Sequence, residues 1–246
     1  MTTTYAATTP ELRRSDRIFH TGIGLYVLLL GLIGFGRSFY FSSFTGGVET
    51  APAFTATIMV HAALFTAWIV LATSQPWLIA KGRYDLHRQY GPWGMGLGIA
   101  MILSGVYTAL IAANIGFNDQ PNRANFMIVP FVTMLGFGLF LWLSWRARRN
   151  GEAHKRYILL AHVNLLEAPA ARSLVHNDFP PMPGIIVLTF LPVLAGIIYD
   201  LVTRRRVHAI YLWGGALSFA LAVGRHSIAR SDWWGELAPK IAAPFA

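Results

Sequence analysis

The sequence predicts an all-α polytopic membrane protein, a bundle of seven transmembrane helices that forms one membrane domain over residues 1–246. Of the 246 residues, 54% are hydrophobic and only 13% are charged, about half the charged share of a soluble domain. The mean hydropathy is +0.47, and the charged residues lie between long apolar runs rather than along helix faces. This composition excludes a disulfide-rich secreted domain, a disordered chain and an ordinary soluble enzyme.

Seven apolar runs are long enough to span a bilayer, because a helix needs about 20 mostly apolar residues to cross the hydrocarbon core. They cover residues 18–41, 54–80, 93–117, 126–145, 157–175, 184–202 and 207–230. The polar segment 1–17 has no small-residue cleavage site after it and is predicted to be a cytoplasmic tail. Residues 231–246 are predicted to be an outer tail.

The fifth run, 157–175, contains more polar residues than the others. Its polar and helix-bending residues are His162, Asn164, Glu167, Pro169 and Arg172. A charged residue at mid-span costs roughly 2.5–3.5 kcal/mol on insertion scales. The fifth helix is therefore predicted to lie inside the bundle with partners rather than against lipid.

The distribution of basic residues orients the bundle, since Lys and Arg are enriched in cytoplasmic loops. With the N-terminus inside, cytoplasmic segments hold 14 of the 20 Lys and Arg residues. These are Arg13, Arg14, Arg17, Lys81, Arg83, Arg88, Arg146, Arg148, Arg149, Lys155, Arg156, Arg204, Arg205 and Arg206. Without the fifth span, the basic run 204–206 would lie outside. The sequence therefore favours seven spans, with the N-terminus cytoplasmic and the C-terminus outside.

The bilayer itself is the first predicted partner. The net charge is +9, but the basic residues sit in short loops, where they contact anionic lipid headgroups. No basic stripe stands clear of the membrane, so a nucleic-acid partner is not predicted. The chain has no cysteine, which excludes disulfides, thiolate metal sites and cysteine nucleophiles.

Four histidines stand at the predicted cytoplasmic start of odd-numbered helices: His20, His87, His154 and His208. Three of them are followed by tyrosine in an H-x-x-Y pattern. The positive helix N-terminus disfavours imidazolium, and neutral imidazole is the form that ligates a metal or haem iron. Two interpretations remain open: cofactor-binding residues, or anchors with one polar tip among the headgroups.

A second group of ionisable residues is predicted at one level in the outer half of the bilayer. Its members are His61, Glu167, Arg172, Arg225 and His226. Intramembrane ionisable residues indicate a functional site by default, while an ion pair from Glu167 to Arg225 or Arg172 that only joins helices is the alternative.

His162 lies about 10 Å deeper than His61 at 1.5 Å per residue, so these two are poorly matched as axial ligands of one haem. His61 with His226, or two of the four cytoplasmic histidines, match better.

Several motifs together resemble a family of bacterial multi-pass inner-membrane proteins that has no assigned activity. They are Gly34-Phe35, His61 with Trp68 and Gln75, Leu86-His87-Arg88 with Gly91, His154-Lys155-Arg156, Tyr199-Asp200-Leu201 with His208, and Trp213-Gly214-Gly215. The resemblance covers nearly the whole chain and implies a location in the bacterial inner membrane. The histidine-bearing helices are also faintly similar to di-haem b-type cytochromes, although the matched intrahelical histidine pairs of those proteins are missing here.

Three functions follow as hypotheses. The first is a membrane redox or small-ligand-binding protein that uses its eight histidines to bind haem b or a quinone. The second is a non-catalytic accessory or structural subunit with other membrane subunits as partners. The third is a zinc-dependent membrane hydrolase, similar to the seven-helix zinc hydrolases related to progestin and adipoQ receptors. Those enzymes carry an H-x-x-x-H pair in the last helix, where His226 stands alone.

Overall fold

The computed structural model describes residues 10–41, 56–115, 123–175 and 181–245. The ends of the predicted spans that fall at 54–55 and 116–117 lie outside the described residues, as does the tail segment 1–9. Within the described part the protein is all-helical, with 92% helix and no strand. The predicted fold class is confirmed to that extent.

Ten α-helices follow one another along the described chain. They are α1 Pro10–Phe35, α2 Ala56–Ala80, α3 Tyr84–Ile115, α4 Arg123–Phe126, α5 Ile128–Arg146, α6 Gly151–Leu165, α7 Glu167–Val175, α8 Pro181–Arg204, α9 Ala209–Ala229 and α10 Asp232–Ala242. A π-helical turn, Gly36–Tyr40, extends α1, and the 3-10 turn Ala243–Phe245 follows α10.

Five helical segments are long and apolar enough to cross a membrane: Pro10–Tyr40, Ala56–Ala80, Tyr84–Asn114, Ala124–Arg146 and Pro183–Arg204. These segments identify the chain as a membrane protein. The fifth predicted span is divided into α6 and α7, of 15 and 9 residues, each too short to cross alone. The seventh corresponds to α9, which has 21 residues but contains Arg225 and His226.

Helix α6 lies in the interior of the bundle. Arg156 and residues 159–164 are all buried, and the helix packs on α5, α8 and α9. Phe137, Phe140 and Tyr211 surround it in the main apolar core. The prediction that the polar fifth segment lies inside the bundle with partners is confirmed for its α6 part, whereas Arg172 on α7 is exposed. Because α6 is central, its polar side chains face other helices rather than lipid.

The first helix begins at Pro10, inside the segment predicted to be a tail. The helix starts eight residues before the predicted span because of packing: Asp16 on the added turns forms ion pairs with Lys155 and Arg204. At the other end of α1, Gly34 contacts the kinked junction of α6 and α7. A Cβ on Gly34 would lie 2.6 Å from the Cα of Pro169, so the close approach of the two helices requires glycine there.

The residues after the seventh predicted span also form a helix, α10. One face of α10 carries Trp234, Ala238 and Ala242 against Ala109, Leu110 and Met127. The indole Nε1 of Trp234 donates to the carbonyl of Asn125 at 2.8 Å. Trp233, on the other face, is exposed. The predicted outer tail is therefore a packed amphipathic helix.

Candidate functional site

Three of the five outer-half residues, Glu167, Arg225 and His226, are brought together by side-chain contacts between α7 and α9. Glu167 begins α7 and forms an ion pair with Arg225. Its Oε1 lies 3.0 Å from Nε2 of His226. The guanidinium of Arg225 also donates to the hydroxyl of Thr133 on α5. The side chain of Arg225 is only 4% exposed, so the pair with Glu167 compensates a buried charge.

His61 and Arg172 have other partners. Nδ1 of His61 lies 3.4 Å from the Ser104 hydroxyl on α3, and its ring contacts Phe65 at 4.3 Å between centroids. The guanidinium of Arg172 lies 4.7 Å from the centre of the Phe35 ring. The predicted axial pairing of His61 with His226 gains no support, because the two rings bond to groups on different helices.

Two of the four histidines at helix starts form a pair. The ring centroids of His87, in the first turn of α3, and His154, in the first turn of α6, are 6.2 Å apart. Nδ1 of His154 lies 3.0 Å from the carbonyl oxygen of Ser144. The Ser144 hydroxyl lies 2.9 Å from the same nitrogen, so Ser144 holds the ring through two contacts. Nδ1 of His87 is buried without a hydrogen-bond partner.

The other two histidines predicted at helix starts lie elsewhere, and His20 is not at a helix start, because α1 begins ten residues earlier at Pro10. Nδ1 of His208 accepts a hydrogen bond from the backbone N–H of Ile210 at 3.2 Å, and so caps α9. The backbone N–H of His208 donates to Asp200 at 3.1 Å. The ring of His20 packs edge-on against Phe19 at 5.1 Å. The H-x-x-Y pattern therefore marks helix starts, but only two of its histidines meet.

An ionic cluster of six side chains at the predicted cytoplasmic end was missed by sequence reasoning. Its members are Asp16, Glu152, Lys155, Arg156, Asp200 and Arg204. Arg156 and Asp200, at 1% and 0% exposure, form its core through a contact of 2.6 Å. Arg204 reaches Asp16 at 2.7 Å. The cluster contains three acids and three bases, and it joins α1, α6 and α8.

The surroundings of Glu152 in this cluster favour its ionised form. Burial alone would raise the pKa of Glu152, but hydrogen bonds and charge from Lys155 and Arg156 outweigh it and hold that pKa below its usual value. The signal that could have found the cluster is Asp200, an acid inside the sixth apolar run. Such an acid needs a buried cation, and the sequence offers several without indicating which one.

His162 lies at mid-bundle beside a tryptophan. Its ring centroid is 5.8 Å from that of Trp68 on α2. Nε2 of His162 and Nε1 of Trp68 are both buried without a hydrogen-bond partner. Unpaired buried polar atoms cost free energy, so this point of the core favours a small polar occupant.

A small pocket lies between α6, α8 and α9, next to Arg225. It is lined by Val163, Asn164, Thr189, Phe190, Ser218, Ala222 and Arg225. Nδ2 of Asn164 donates to the Ser218 hydroxyl at 3.0 Å. The sequence analysis named Asn164 only as a polar residue of the fifth run, and Thr189 and Ser218 carried no signal because single hydroxyls are common in apolar helices.

Comparison with protein-family models, curated proteins and solved structures gives no match for this chain. Among the described residues, no three or more His, Asp or Glu side chains are grouped so that they could hold a metal ion. The structure thus offers two candidate sites, the His87–His154 pair and the Arg225 pocket.

Proposed function

We propose that the chain crosses a bacterial inner membrane seven times, with α6 and α7 together forming the fifth span and α9 the seventh. The burial of α6 and the pairing of Glu167 with Arg225 support it, because Arg156 is buried and Glu167 and Arg225 neutralise each other inside the bundle. The resemblance to bacterial inner-membrane proteins is consistent with this topology. The N-terminus is then cytoplasmic and the C-terminus outside.

Reporter fusions test this topology. Alkaline phosphatase, which is active only outside the cytoplasm, should be inactive when fused after Asn150 or Arg206 and active after Ser231. The reason is that the fifth and sixth spans return the chain to the cytoplasm before α9. If the fifth segment does not cross, the last two fusions exchange their activities, and the seven-span proposal fails.

We also propose that the protein binds haem b between His87 and His154 as a one-electron carrier. The observation that carries this proposal is the 6.2 Å between the two ring centroids. Two metal–nitrogen bonds of about 2.0 Å each, with half an imidazole ring at each end, separate ring centroids by about 6 Å. The orientation of His154 adds support, because a ligating histidine usually donates its second N–H to a carbonyl or carboxylate.

The number of ligands favours haem over a bare metal ion. Structural and catalytic zinc sites use three or four protein ligands, whereas the described residues offer two histidines and no larger group. Haem brings four nitrogen ligands of its own and needs only axial ligands from the protein. The zinc-hydrolase hypothesis is therefore the weaker one.

The surroundings of the pair also suit haem. Basic residues are concentrated at this end of the bundle, among them Arg88 beside His87 and Arg148 after α5. These side chains can bind the two propionates, which are carboxylates. Gly91 lies one turn after His87, and a Cβ there would meet nothing within 4 Å. A glycine at that position lets a flat macrocycle approach the helix backbone.

When bound, haem supplies reversible one-electron oxidation and reduction. The residues of this chain have separate tasks. His87 and His154 would hold the iron, the Ser144 carbonyl fixes the ring of His154, and basic side chains would orient the propionates. The apolar core around Phe140 and Leu160, both fully buried, keeps water from the bundle interior.

Visible spectroscopy on protein purified in mild detergent tests the haem proposal. After expression with haem supply, the oxidised protein should show a Soret band and the dithionite-reduced protein a sharp α-band. His87→Ala and His154→Ala should each lower the haem content about tenfold or more, since even changes to outer partners of a ligand cost roughly 10–100-fold.

His208→Asn is the matched control, because it removes a histidine at the same level and keeps an N-capping acceptor. This variant should retain the full Soret band. A monodisperse wild-type protein without a Soret band, after expression and after addition of hemin, overturns the proposal. Equal haem content in all three variants overturns the assignment of the ligands.

A further inference from the structure

The pocket beside Arg225 is separate from the histidine pair. It lies between α6, α8 and α9, in the half of the bundle opposite the first turns of α3 and α6 that carry His87 and His154. Thr189 is eight residues into α8, which is about 12 Å at 1.5 Å per residue. That depth lies within the hydrocarbon core of a bilayer.

Two polar groups of the pocket lack partners. Nε of Arg225 and the hydroxyl of Thr189 are both buried without a hydrogen-bond partner, and the two residues are 4% and 3% exposed. The amide nitrogen of Asn164 is already used, because it donates to Leu160 and Ser218. The unused groups at this point are thus two hydrogen-bond donors, an N–H and an O–H.

The charge of the pocket selects a neutral acceptor. The guanidinium of Arg225 already forms an ion pair with Glu167, so a second carboxylate would add an uncompensated negative charge in a low-dielectric region. A carbonyl oxygen accepts two hydrogen bonds without adding charge. The free N–H of Arg225 and the hydroxyl of Thr189 therefore match one carbonyl oxygen.

The shape of the pocket limits its occupant to one oxygen-sized group. Phe190 and Ala222, on its lining, are partly exposed on the outside of the bundle. The ring of Phe190 packs on that of Phe219 at 5.5 Å between centroids. A ligand can therefore place one carbonyl in the pocket while its apolar body lies along these side chains, in contact with lipid tails.

We infer that this pocket binds a carbonyl oxygen of a membrane quinone. A quinone has carbonyl groups on a ring that is soluble at this depth. The choice of a quinone among lipid-soluble carbonyl compounds rests on the proposed one-electron function. The carbonyl site itself rests only on the two unpaired donors, the neutralised charge and the position of the pocket.

Photolabelling with an azido derivative of a short-chain ubiquinone tests the inference, with labelled peptides mapped by mass spectrometry. The label should attach near Phe190 and Ala222, and decylubiquinone should compete with it. Thr189→Val keeps the side-chain shape and removes the hydroxyl, so it should lower labelling about five- to tenfold, the loss expected for one hydrogen bond. Thr189→Ala, which also removes the hydroxyl, provides a second variant if Thr189→Val does not fold.

Thr108→Val is the matched control, because Thr108 on α3 also has a buried hydroxyl without a partner and does not line the pocket. It should label like the wild type. Equal labelling of both threonine variants, or label confined to other helices, overturns the inference and leaves a buried water as the occupant. Labelling in the His154→Ala variant separates the two proposals, since the pocket is expected to bind quinone even where haem is lost.

Discussion

Replacing Asp200 with asparagine is expected to lower the free energy of unfolding by about 3–5 kcal/mol, as for other buried ion pairs that lose one partner. Asp200 is fully buried and accepts hydrogen bonds from Arg156 at 2.6 Å, from Arg204 at 3.1 Å and from the backbone N–H of His208 at 3.1 Å. Asparagine preserves the shape but removes one of the two carboxylates that pair with Arg156, which is 1% exposed and keeps only Glu152 at 2.7 Å. The buried cluster is then left with one excess positive charge.

Unfolding in mixed micelles with increasing sodium dodecyl sulfate measures this loss, followed by tryptophan fluorescence. Asp85→Asn is the matched control, because Asp85 pairs with Arg83 at 3.4 Å on an exposed surface. Exposed pairs contribute about 0–1 kcal/mol, so this variant should unfold like the wild type. Equal midpoints for the two variants would show that the ionic cluster does not stabilise the fold.

The helical membrane fold could be predicted from the sequence because apolar runs and loop charges are local signals. Helices α2, α5 and α8 coincide closely with predicted runs, whereas α3 begins at Tyr84, nine residues before the predicted run 93–117. The ends of the runs at 54–55 and 116–117 lie outside the described residues. The added turns of α1 could not be predicted in this way. Residues 10–17 are polar, and what folds them is the ion pairing of Asp16 with Lys155 and Arg204, more than a hundred residues away in sequence.

The same reason limits prediction of the candidate site. The sequence analysis proposed His87 and His154 as cofactor-binding residues because each stands at a predicted helix start. It proposed His20 and His208 for the same reason. Which two meet depends on how α3 and α6 pack, and that is settled by the whole core. The Arg225 pocket shows the limit more clearly, because its lining residues come from three helices and only Arg225 and Asn164 carried any signal.

Replacing Glu167 with glutamine is expected to lower the free energy of unfolding by about 3–5 kcal/mol as well, because it leaves the Arg225 guanidinium buried and unpaired. Removing both charges, in a Glu167→Gln, Arg225→Met double variant, should restore most of that stability, since an apolar pair of similar volume no longer carries a buried charge. The same detergent unfolding assay measures both variants. A double variant as unstable as the single one would show that the loss has another cause.

The double variant also separates a helix contact from a binding site. If the pair only joins α7 to α9, restored stability should come with unchanged quinone labelling. If Arg225 serves the pocket, the double variant should fold like the wild type and yet lose labelling, because methionine has no N–H to donate to a carbonyl. We expect the second result: Glu167 would then neutralise Arg225 within the membrane while leaving its Nε–H available to a ligand.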